Sequence, residues 1–101
     1  MKMNLYSVRD IKAGYGNPYC MQNDEMAIRD IKLAVNSDKP NIIKQFPEDF
    51  ELTRLGTFDT ETGIIIRKVE MIINCRELKT LEKIVEENKN KVEHKPEINV
   101  F

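Results

Sequence analysis

The chain has 101 residues, with 16 basic and 17 acidic side chains and a net charge of −1. That length fits one domain with one modest core, and the near-neutral charge gives no support for coating nucleic acid by bulk charge, although a local basic face remains open. At 33% charged and 41% hydrophobic residues the profile is that of a soluble globular protein, with no apolar run long enough to span a membrane and no signal-peptide stretch in MKMNLYSVRD, so a cytoplasmic location is expected.

Residues 3–11, MNLYSVRDI, read as a first strand, carried by Leu5, Tyr6, Val8 and Ile11 with imperfect alternation. Residues 12–22 read as a loop, broken by Gly14, Gly16 and Pro18. A first helix is predicted from Asp24 to Asn36. Asn23 is suited to cap it, and Asp24 and Glu25 place negative charge in the first turn, where the helix dipole favours it. Ala27, Ile31, Ala34 and Val35 recur at helical spacing, with Ile28 beside them. NSDKP should end that helix.

Residues 41–49 read as a connection, with Ile42, Ile43 and Phe46 tucked beneath it. Residues 50–58 and 63–72 are two β-rich runs separated by Asp59-Thr60-Glu61-Thr62-Gly63, which predicts a hairpin with Gly63 free to take positive φ. Both runs are apolar on both parities, so a single covered face would not account for them. A second helix is predicted over Cys75–Asn90, with capping-box spacing at Asn74 and Glu77 and a narrow stripe of Leu78, Leu81, Ile84 and Val85. Residues 91–101 form a tail expected to be mobile.

The order strand-helix-strand-strand-helix predicts an α+β fold with a small, about three-stranded sheet packed by helices. The third strand could lie between the first two, as in a split βαβ unit. Residues 1–72 would form a βαββ domain. Residues 73–90 would then pack on the same core or at a dimer interface through Leu78, Leu81, Ile84 and Val85.

Catalytic signatures are lacking. No nucleophile elbow, HExxH or Walker sequence occurs. GYGNP lacks the Lys-Ser/Thr that reaches phosphate and magnesium, and the sole histidine, His94, lies in the tail. Glu48 with Asp49 and Asp59 with Glu61 are carboxylate pairs in a strand approach and a turn, where solvated acids are common. Cys20 and Cys75 have no metal-ligand spacing and read as idle thiols. No enzyme activity, cofactor or metal is expected.

Single-strand binders combine cations that follow phosphates with aromatic rings that stack on bases. Lys12, Tyr15 and Tyr19 in the first loop and Arg54, Arg67 and Lys68 on the hairpin are the candidates for such contacts. The plainer reading gives Tyr19 a packing role and makes Arg67-Lys68 a solvated strand edge that discourages aggregation.

YSVRDIKAG, NPYCMQND, AIRDIKLAVN and FPEDFELTRLGTFDTETGII occur in that order. Together they resemble the small non-structural protein of the gokushovirus branch of the microviruses, phages with circular single-stranded DNA genomes. The matching positions run from Tyr6, Asp10, Lys12 and Ala13 through Pro18 and Tyr19, then Ala27, Ile28, Arg29, Val35 and Asn36, to the segment from Pro47 to Gly63. The resemblance covers about residues 4–66, and residues beyond about 72 depart from the shorter family pattern. It implies a protein of the host bacterial cytoplasm, not a virion component, that binds single-stranded DNA or a replication or packaging complex as genomes pass to the single-stranded form. The alternative is a homo-oligomeric adaptor that binds viral or host protein without touching DNA. Single-stranded DNA, viral replication or packaging proteins and a second copy of the chain are the implied partners.

Overall fold

A computed structural model describes residues 1–80. The first strand, β1 (Lys2–Asp10), is the spine of the sheet. The chain then forms β2 (Gly14–Tyr15) and β3 (Tyr19–Met21), the helix α1 (Asp24–Val35), one turn of helix α2 (Ile42–Gln45), and a 3-10 turn at Pro47–Asp49. The hairpin β4 (Phe50–Asp59) and β5 (Ile65–Asn74) follows, and a second 3-10 turn covers Cys75–Leu78.

The five strands make one antiparallel sheet in the order β2-β1-β4-β5, with β3 on the same edge of β1 as β2. This corrects the α+β expectation of a three-stranded sheet with strand-helix-strand-strand-helix order: the molecule is mostly β. The region read as a loop supplies two of the strands. Its glycines and proline interrupt the pairing with β1 rather than prevent it. The Gly16 amide still donates to the Val8 carbonyl at 2.9 Å, and the Ser7 hydroxyl donates to the Gly16 carbonyl at 2.8 Å. Pro18, which has no N–H, falls in the gap between β2 and β3. The split βαβ order is also overturned, because β4 pairs with β1 along its whole length and lies between β1 and β5.

The first helix forms as its sequence dictates. The Asn23 side chain accepts from the Met26 amide at 2.8 Å, and Ala27, Ile31 and Val35 are buried one above another. They pack on Tyr6, Phe50 and Leu52 of the sheet, and Cys75 and Leu78 close the same core. Full burial of each aliphatic side chain contributes about 1.5–3 kcal/mol, so this stripe holds the helix to the sheet.

The hairpin turn matches its expected chemistry. Gly63 sits at φ 75°, and the Asp59 carboxylate accepts from the Glu61 amide at 2.9 Å. Past the hairpin, β5 runs on to Asn74, and the residues from Cys75 to Leu78 take a single 3-10 turn. The predicted helix over Cys75–Asn90 is therefore absent from its first four positions. Asn74 still caps, accepting from the Arg76 amide at 2.8 Å. The Asn36 amide group donates to the Leu78 carbonyl at 2.9 Å and its oxygen accepts from the Thr80 amide at 3.0 Å, which ties this turn to the end of α1. The remainder of the predicted second helix, with Leu81, Ile84 and Val85, and the tail at 91–101 lie outside the described residues.

Candidate functional site

Ladder partners share a face of the sheet, and successive residues alternate faces. Tyr6 reaches α1, so the even-numbered residues of β1 face the helix and the odd-numbered ones face away. The register carries this across the strands. Tyr15 opposes Arg9, and Arg67 opposes Gly56, which opposes Leu5. Tyr15 and Arg67 therefore share the open face with Arg9, and Phe58 joins them opposite Met3. Tyr19 opposes Tyr6, and Arg54 opposes both Tyr6 and Glu70, so these two lie on the helix side.

On the helix side the predicted contacts are committed to the fold. The Tyr19 ring lies 6.1 Å from the Tyr6 ring, and burial pushes its hydroxyl up to about 12, with the negative charge of Asp30 adding to the shift. Arg54 bridges Asp24, at 2.5 Å, and Glu70. The Tyr6 hydroxyl donates to the other oxygen of Asp24 at 2.5 Å. Burial pushes that hydroxyl up to about 12, and its hydrogen bond to Asp24 adds to this. Burial alone would raise the Asp24 carboxyl, but the hydrogen bonds from Tyr6 and Arg54 and the guanidinium charge outweigh it and hold the carboxyl below its usual range.

On the open face, Ser7 and Thr53 are buried at the centre and part of the positive charge is neutralised. Arg9 lies 5.8 Å from the Tyr15 ring centre, a cation-π distance, and its guanidinium meets Glu51 at 3.1 Å. Lys12, in the turn after β1, reaches Asp49 at 3.5 Å. Arg67 and Lys68 are exposed and hold no ion pair among the described residues. The six candidates thus divide into two on the open face, two on the helix side, Lys12 at a turn and Lys68 on β5. No continuous basic track joins them. Leu78 is buried in its own chain's core.

What residue-by-residue reading passed over is apolar. Ile64, Ile65, Ile66, Val69 and Met71 are between 39% and 59% exposed, and β5 is an outer strand of the sheet. Apolar residues on both parities of 63–72 carried that signal, because a half-buried strand shows only one apolar parity. The thiols differ: Cys20 is exposed on the open face, whereas burial pushes Cys75 up to about 11, with Glu51 adding to the shift. Among the described residues no group of three or more His, Cys, Asp or Glu is placed to hold a metal ion, and no helix is long and apolar enough to cross a membrane.

Residues 3–78 match the family described as Phage ORF5 protein. The chain belongs to that family. It is also 37% identical over 67 residues to Protein ORF5 of Chlamydia phage 1, an alignment that spans 62% of this chain and 70% of that protein. These matches support the resemblance to a small microvirus protein. The family region ends at Leu78, so it takes in the sheet, α1 and the closing 3-10 turn, a longer stretch than the motifs alone suggested. No solved structure matches.

Proposed function

We propose that this phage protein is a non-enzymatic, homo-oligomeric adaptor that works through its β4–β5 hairpin, bringing viral or host protein together during genome replication or packaging. One observation carries the reading: large apolar side chains exposed along the outer strand β5. Surface apolar residues scattered singly need no explanation, but several large ones exposed on one outer strand and the turn before it mark a protein contact. The charge pattern supports the same choice, because Arg9, Lys12 and Arg54 are already neutralised by carboxylates.

Direct contact with single-stranded DNA is the second reading. The exposed ring of Tyr15, with Arg67 and Lys68, which hold no ion pair among the described residues, favours it. Titration of the full chain into fluorescent oligothymidylate separates the two. The adaptor reading predicts no saturable anisotropy change at low salt, together with a particle mass above that of one chain that falls when Ile65 and Ile66 are changed to Asp. Saturable binding whose affinity falls with salt, and that loses about 1–3 kcal/mol in Tyr15→Ala, would transfer the function to DNA.

A further inference from the structure

We infer that a second copy of the chain covers the open face of the sheet, packed face to face about a two-fold axis that runs along the strands between β1 and β4. This rests on the homo-oligomeric reading above and names the surface and orientation of the contact.

The ladder pairs arrange the open face in four rows across the strands. Met3, Phe58 and Ile65 form the first, and Leu5, Gly56 and Arg67 the second. Ser7, Thr53 and Met71 form the third, and Arg9, Glu51 and Asn74 the fourth. Every member is placed by a direct ladder pair, so Lys68, Val69 and Ile72, where β5 is irregular, take no part. A sheet face turned to water carries mainly polar side chains. Here the first two rows are apolar apart from Arg67, and Met3, Leu5, Phe58 and Ile65 lie outside the core beneath α1. The centre of the third row is dry already. Ser7 and Thr53 are buried there, and their hydroxyls donate to the Gly16 and Glu51 carbonyls. No buried side-chain nitrogen or oxygen among the described residues lacks a partner, so covering this centre strands no polar group.

The face is complementary to itself. Packed sheets keep their strands within about 30° of each other, and an axis along the strands sets each row on the same row of the second copy. The apolar rows then meet apolar rows, with Gly56 leaving room for the larger side chains opposite. The fourth row meets itself as well. Arg9 and Glu51 lie side by side in it, 3.1 Å apart. Each charge therefore finds its opposite in the second copy within about one strand spacing, roughly 4.8 Å. An axis across the strands would instead set Met3, Phe58 and Ile65 on the charged row and take Arg9 and Glu51 out of water against apolar side chains. From strand and residue spacings the face measures roughly 20 by 27 Å, so two copies bury about 1,000 Å² in projection, the threshold for a specific contact.

The test is sedimentation velocity on the full chain, with folding checked by circular dichroism. Met3 lies on β1, two strands in from the outer edge, so a contact along the edge of β5 does not feel it. Met3→Lys keeps an unbranched stem on the sheet but sets like charges together in the first row, and should weaken the dimer by roughly tenfold or more. Leu33→Asp, on the exposed side of α1, should leave it within about twofold. The native thiol of Cys20 gives a readout without substitution, because Cys20 pairs with Leu5 of the second row and Cys75 is buried. Alkylation of Cys20 by excess iodoacetamide should slow by about fivefold or more as the chain is raised from about 1 to about 100 µM. A dimer indifferent to Met3→Lys, or one in which Cys20 reacts equally fast at both concentrations, would overturn this face while leaving the adaptor reading in place. A wild-type chain that stays single at about 100 µM would overturn both.

Discussion

Asp24 is where helix and sheet meet. It opens α1 and receives Tyr6 and Arg54 from two different strands. Because its folded-state carboxyl is held below the usual range, it contributes stability that is present above the unfolded carboxyl value and lost as pH falls through the folded one. Thermal midpoints should therefore drop as pH is lowered below about 4, and Asp24→Asn should flatten that part of the profile. The same substitution should cost about 1.5–3 kcal/mol at neutral pH in urea unfolding, as expected for hydrogen bonds to a charged group. An acid profile unchanged by Asp24→Asn would remove the residue from this role. The pairing of Arg54 with Asp24 was not legible in the sequence. The two are 30 positions apart, and only the β1–β4 register brings Arg54 opposite Tyr6 and so beneath the helix start.

Elements were legible where local chemistry and tertiary packing agree. The first helix carried its cap, its acidic first turn and its apolar stripe, and it stands where these placed it. The hairpin carried its turn residues and stands likewise, with its first strand one residue longer and its second shifted two residues along the chain. Elements were missed where tertiary pairing overrode local preference. Nothing local in Gly14–Met21 distinguishes a loop from an irregular strand; the free edge of β1 made it one. Cys75–Leu78 satisfied a helix pattern, but Cys75 and Leu78 are buried in the core against the sheet, and a 3-10 turn serves that placement. Gly56 shows the constraint inside β4. It sits at φ 153°, and a Cβ there would come within 2.0 Å of the Ile66 carbonyl oxygen. Gly56→Ala should therefore force β4 and β5 apart and cost about 2–4 kcal/mol in chemical denaturation. A loss below about 0.5 kcal/mol would show that the hairpin yields there freely. Ile31→Ala on the core side of α1 should cost about 2–5 kcal/mol, while Leu33→Ala on its exposed side should stay within about 0.5 kcal/mol.

At the scale of the whole molecule, the fold pairs Arg9, Lys12 and Arg54 with its own carboxylates and leaves large apolar side chains exposed on its outer strand. One such pair lies on each face of the sheet, Arg9 with Glu51 on the open face and Arg54 with Asp24 on the helix side. That pattern favours association with protein over association with a polyanion. The sequence showed the apolar excess on both parities of the hairpin but not which strand would lie outermost, since that depends on β4 pairing with β1 first. The measurement that bears most directly on this account is sedimentation equilibrium of the unmodified full chain between 1 and 100 µM in 150 mM salt. The account predicts a mass approaching twice the 11.8 kDa of one chain, insensitive to added oligothymidylate. A mass fixed at one chain across that range would contradict it.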